Sequence, residues 1–112
     1  MAPSVEWPAH PQPVQPEAIR RAFNEGLYYE RMLSGEIEAR LRNDSHPERP
    51  VGDEPICTRS QMYSYWLNGV PVALVHQYTR PDGSIGASGR PDPKVLVLDD
   101  GSTLRPVSAG GL

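Results

Sequence analysis

The sequence predicts an α+β fold, with an N-terminal helix or two helices packed on a four-stranded antiparallel β-meander. Three observations predict it. Apolar residues recur at three- and four-residue steps between Ile19 and Leu41. Two runs of β-forming residues, 57–67 and 70–79, are separated by Asn68-Gly69 alone. No strand–helix–strand spacing follows them, so a parallel α/β sheet is not expected.

The chain has 112 residues, enough for one hydrophobic core. Residues 1–16 hold five of the 13 prolines and one large apolar side chain, Trp7. Proline favours extended, polyproline-like backbone, so this stretch is expected to be a flexible tail ahead of a single domain over 17–107. Residues 108–112 are expected to fray.

Pro16-Glu17 is a helix start, since proline fits the first turn and an acid suits the positive helix end. Ile19, Phe23, Leu27, Glu30, Leu33, Ile37 and Leu41 then form one stripe, with arginines and glutamates between them. Gly26 and Ser34-Gly35 weaken the run, each glycine by up to about 1 kcal/mol relative to alanine. One helix to about residue 43 and two helices broken at Ser34-Gly35 both satisfy the pattern. Residues 44–56 read as an acidic, proline-containing connection.

Asn-Gly between two β-forming runs selects a type I′ hairpin turn. Its two-residue loop places Leu67 opposite Val70, Tyr65 opposite Val72, Tyr63 opposite Leu74, Gln61 opposite His76 and Arg59 opposite Tyr78. Trp66, Met62, Ala73 and Val75 then share the other face, so both faces are apolar near the turn and both need covering. Residues 80–93 read as a long loop, 94–98 as a third strand, 99–102 as a turn and 103–107 as a short last strand edged by Pro106.

Charge narrows the possible partners. The net value is -3. Residues 57–98 carry four basic and two acidic side chains, far from the basic face of a duplex-binding protein. General nucleic-acid binding is not expected, which leaves at most a local phosphate contact. A single cysteine, Cys57, precludes an internal disulfide and a cysteine-based zinc site. With no apolar run of membrane-spanning length and no signal-like start, the expectation is a cytoplasmic protein. Ten arginines against one lysine suggest a GC-rich bacterial or phage source.

Catalytic signatures are missing. There is no H-E-x-x-H, paired C-x-x-C, G-x-S-x-G or P-loop. Gly83, Gly86 and Gly89 form G-x-x-G-x-x-G, but no Lys-Ser/Thr follows. His10, His46 and His76 lack metal-ligand spacing, so no metal or cofactor is expected. His76 is nevertheless set with Tyr78 and Arg80 at a strand end, to which the loop returns Arg90, Asp92 and Lys94. A metal-free ribonuclease needs a base, an acid and positive charge for the phosphorane. His76, Tyr78, Arg80 and Lys94 are the catalytic candidates on that reading, with Arg90 adding to the clamp.

The stretch from Ala73 to Lys94 resembles small bacterial and phage-type proteins that share a V-H-Q-Y-x-R-P-D-G and S-G-x-P-D-P-K run. That resemblance implies no particular activity. A fainter one is to ribosome-targeting colicin nuclease domains, whose Asp, His and Glu lie on adjacent sheet positions. His76 has no glutamate on its strand, and the chain lacks their basic charge.

Two function classes remain. In the preferred one the chain is a non-enzymatic accessory protein that binds another protein, or a second copy of itself, through the hairpin face. Trp66, Met62 and Val75 make the contact, with Arg90 and Asp92 as further binding residues. The alternative is a small metal-independent endoribonuclease of toxin type.

Overall fold

The structure is a computed structural model that describes residues 6–46, 49 and 52–107. Among these, two helices and six strands form, in the order β1 (Gln12–Val14), α1 (Pro16–Glu25), α2 (Tyr28–Leu33), β2 (Glu38–Ser45), β3 (Arg59–Leu67), β4 (Val70–Thr79), β5 (Asp92–Val97) and β6 (Thr103–Pro106). The α+β class agrees with the sequence. The four-stranded antiparallel meander does not, because the sheet is six-stranded and mixed, in the order β1-β6-β5-β4-β3-β2. Strands β2 to β6 run antiparallel to their neighbours, and β1 adds in parallel to β6.

Both extra strands come from segments expected to be something else. Gln12–Val14 was expected in the tail, but it pairs with Leu104–Pro106, and Val107 N–H donates to Val14 C=O at 2.8 Å. Its one proline, Pro13, sits at the sheet edge, where a missing N–H is tolerated. Of Glu38–Ser45, residues 38–43 were expected as helix and 44–45 as the start of the acidic connection. The helical path ends in the turn at Ser34-Gly35, where Gly35 N–H reaches back to Met32 C=O at 3.1 Å. From Glu38 the chain instead pairs with β3. Ile37 and Leu41, four apart, suit a helix stripe, but Ala39 and Leu41 also suit strand alternation. Tertiary pairing decided between the two. The break between α1 and α2 falls at Leu27, a stripe position that adopts a left-handed φ of 58° and lies exposed.

The core lies between the helices and one face of the sheet. Ile19 and Phe23 of α1, Tyr28 of α2 and Ile37 pack on Tyr65, Ala73, Val75 and Leu96. Phe23 stacks on Tyr28 with ring centroids 5.7 Å apart and meets Tyr65 at 6.1 Å. The Tyr28 hydroxyl donates to Val97 C=O at 2.8 Å, which ties α2 to β5. Each large side chain buried this way contributes about 1.5–3 kcal/mol.

The hairpin turn is as expected, with Asn68 and Gly69 at φ 51° and 79°, both positive as type I′ requires. Leu67 does face Val70, but the rest of the expected register fails. A bulge at Val72 shifts β4 by one residue, so Tyr65 faces Ala73, Tyr63 faces Val75, Met62 faces His76 and Ser60 faces Tyr78. Every β4 side chain beyond the bulge therefore changes face relative to β3.

Two further turns repeat one design. In Arg80-Pro-Asp-Gly-Ser84 and Leu98-Asp-Asp-Gly-Ser102 the first residue's N–H donates to the fifth's C=O at 2.8 Å. In each, the serine hydroxyl donates to the aspartate at 2.6 Å. The first of these turns folds the 80–91 loop back so that Ile85 bridges Thr79.

Candidate functional site

The sheet face away from the helices carries Ser60, Met62, Ser64 and Trp66 from β3 and Leu74, His76 and Tyr78 from β4. Toward β5 and β6 this face is buried at Val97 and Thr103. Over β3 and β4 it is half-exposed at Met62, Trp66, Leu74, His76 and Tyr78. The Trp66 indole N–H donates to Ser64 Oγ at 2.8 Å, holding the ring down against the sheet. The Arg40 guanidinium lies 4.2 Å from the ring centroid, and its own charge is met by Glu38 at 3.1 and 3.2 Å.

His76 sits toward the far end of this patch. A 2.8 Å hydrogen bond joins its Nε2 to Ser60 Oγ, and its ring meets the Tyr78 ring edge-on at 4.7 Å. Burial, and then the Lys94 ammonium, hold the imidazole pKa below its ordinary value, with Asp92 opposing them. His76 is therefore neutral at neutral pH.

Beside His76 a cleft of about 280 Å³ opens between the end of β4 and the returning loop, lined by Arg20, Tyr78, Ser88, Asp92 and others. It shares Arg20 and Asp92 with a larger neighbouring cleft of about 470 Å³ at the start of α1. Arg20 stands 3.8 Å from Asp92, and Lys94 Nζ donates to Asp92 Oδ2 at 2.8 Å. Asp92 thus places a carboxylate between Arg20 and Lys94, the two basic groups that border the larger cleft.

The loop is anchored at both ends by forked ion pairs. Arg80 donates to both carboxylate oxygens of Glu54 at 2.9 and 3.0 Å, and Ala87 N–H adds a third contact at 3.3 Å. These bonds hold the Glu54 carboxyl below its usual pKa range. Gly86 owes its identity to this anchor, since a Cβ there would lie 2.4 Å from the Glu54 carboxylate. At the other end Arg90 donates to both oxygens of Glu30 and, through Nε, to Asn24 Oδ1 at 2.9 Å.

The candidate residues sort accordingly. His76, Tyr78 and Asp92 come together, and Lys94 sits close enough to act on His76. Arg80 and Arg90 do not form a phosphate clamp, because each is spent on a carboxylate that anchors the loop. Trp66 and Met62 keep their place on the outer face. Val75 is corrected out of it, since the bulge turns it inward, where it is fully buried against the helices. Ser60, Arg40 and Arg20 were missed. The hidden bulge concealed Ser60 as the partner of His76, and no local signal in the sequence points to the other two.

Among the described residues no group of three or more His, Cys, Asp or Glu side chains could hold a metal ion. No described helix is long and apolar enough to cross a membrane. No protein-family model matches the chain, and no curated protein or solved structure is significantly similar to it. The resemblance drawn from residues 73–94 gains no support from these comparisons.

Proposed function

We propose that this protein is a non-enzymatic binding module that engages another protein through the outer face of β3 and β4. The observation that supports this reading is a sheet face with no helix over it among the described residues, carrying Met62, Trp66, Leu74 and Tyr78 side by side. Apolar side chains gathered on one surface patch mark an interaction site, and aromatic residues and Met are enriched at such contacts. Trp66 is held in one orientation by Ser64 and Arg40, so less side-chain freedom is lost when a partner packs on it. The test is affinity capture with the full chain from bacterial extract, wild type beside Trp66→Ala and Leu74→Ala, together with light scattering of the pure protein. A stoichiometric protein, or a dimer, lost with both variants supports the reading. A strict monomer whose captured proteins are unchanged by both substitutions overturns it.

One observation favours a second reading, a metal-independent ribonuclease. A neutral imidazole, His76, borders a cleft that Tyr78 and Arg20 also line. Its weakness is electrostatic, because Lys94, Arg80 and Arg90 are already neutralised by carboxylates. Cleavage of RNA without added metal, abolished by His76→Ala, would favour it over the binding module.

A further inference from the structure

The helices reach β5 and β6 and leave the outer strands of the same face less covered. Beside α2, a pocket of about 150 Å³ is lined by Met32, Ala39, Tyr63, Tyr65 and Gln77. A cavity of roughly this volume accepts one benzene-sized ring. No ionised side chain lines it, and the nearby charges of Arg90 and Glu30 are locked to each other. The polar groups around it are unequal. The Tyr63 hydroxyl donates to Gln61 Oε1 at 3.3 Å, and Gln77 Nε2 donates to Thr79 Oγ1 at 2.9 Å. The Tyr65 hydroxyl is buried and has no hydrogen-bond partner, an arrangement that native structures avoid unless something else uses the group. Burial pushes its pKa up, so it stays protonated and can donate.

We propose that this pocket binds a small uncharged ring compound whose carbonyl oxygen accepts a hydrogen bond from the Tyr65 hydroxyl, with the Met32 side chain shifting to admit it. An unbranched thioether has three rotatable bonds and repacks readily, which suits the one wall contributed by the short helix α2. A charged ligand would have to leave its ionic group unpaired among these side chains. This site lies on the opposite side of the sheet from the proposed protein contact and stands or falls independently of it.

The experiment is a titration of the full chain, labelled at its methionine methyls, with three probes followed by NMR. Acetophenone carries ring and carbonyl, ethylbenzene lacks the acceptor, and benzoate is charged. Acetophenone is expected to shift the Met32 methyl saturably, ethylbenzene to bind about tenfold more weakly for want of one hydrogen bond, and benzoate not to bind. Tyr65→Phe should reduce acetophenone to the ethylbenzene level while leaving the unliganded protein as heat-stable as wild type or more so. Ala39→Leu, which fills the pocket from β2, should abolish binding of both neutral probes. Absence of a saturable Met32 shift with acetophenone at millimolar concentration overturns the proposal. So does a Tyr65→Phe variant that melts lower yet binds acetophenone unchanged, the behaviour expected of a hydroxyl that holds only a buried water.

Discussion

Arg90 and Glu30 form a two-pronged ion pair, Nη1 to Oε2 at 2.8 Å and Nη2 to Oε1 at 3.0 Å, across 60 residues of sequence. It clamps the end of the 80–91 loop to α2 and, through Asn24, to α1. The Arg90 guanidinium also lies 5.3 Å from the Tyr29 ring centroid. Both charged side chains remain partly exposed, so water screens the pair and its stabilisation is modest, about 0.5–1 kcal/mol.

Replacing Arg90 with Ala is expected to release the loop before it affects the core. Amide hydrogen exchange should rise over residues 86–91 and stay slow in β3 and β4. The hydrogen bond from Arg90 lowers the Glu30 pKa, so the pair contributes above the unfolded carboxyl value and is lost as pH falls through the folded one. Wild type and Arg90→Ala should therefore converge in stability toward acid pH. Parallel curves down to acid would show that the ion pair is not what Arg90 supplies.

At the other anchor, Gly86→Ala is expected to act through Glu54. The new methyl displaces a flexible carboxylate rather than backbone, so the protein should still fold but lose the Arg80–Glu54 contact. Melting temperatures of Gly86→Ala, Glu54→Gln and the double variant test this. The double variant should melt no lower than the worse single one, because both remove the same interaction. Additive losses would separate the two residues.

Val75→Ala is expected to cost about 2 kcal/mol, because it opens a cavity among fully buried side chains. Leu74→Ala, one residue away on the half-exposed face, should cost clearly less. Urea denaturation of the two variants reads the position of the β4 bulge. A reversed order would restore the unbulged hairpin register.

His76 should titrate below the ordinary imidazole value of 6.5. The unfolded chain then takes up its proton at higher pH than the folded one, so stability falls as pH drops from 7 through 6.5 toward the folded value. His76→Gln should flatten that part of the stability curve. An NMR midpoint for His76 at or above 6.5 would contradict the burial and Lys94 effects described for this ring.

Local chemistry was legible from the residues alone. Pro16-Glu17 starts a helix because proline and an acid suit its first turn, and Asn68-Gly69 makes a tight hairpin because both positions tolerate positive φ. Trp66 and Met62 fall on one strand face, since alternation within β3 is unbroken. These features depend on neighbours one to four residues apart, and such preferences survive in any fold that keeps the segment.

Choices between near-equal local states were left to the tertiary structure. Residues 38–45 satisfy helix and strand patterns alike, and a free strand edge on β3 tipped them to β2. One extra residue at Val72, beside Pro71, does not show its register in the local sequence, yet it turned Val75 into the core and brought His76 to Ser60. The short, proline-containing β1 gains strand geometry only from the backbone of β6. Arg80 and Arg90 could have faced a ligand until Glu54 and Glu30, 26 and 60 positions away, were brought beside them. Composition and spacing determined which segments can fold and which chemistries are missing, because those follow from residue types. Pairing, register and the fate of each charge followed from contacts between distant parts of the chain, which no local preference encodes.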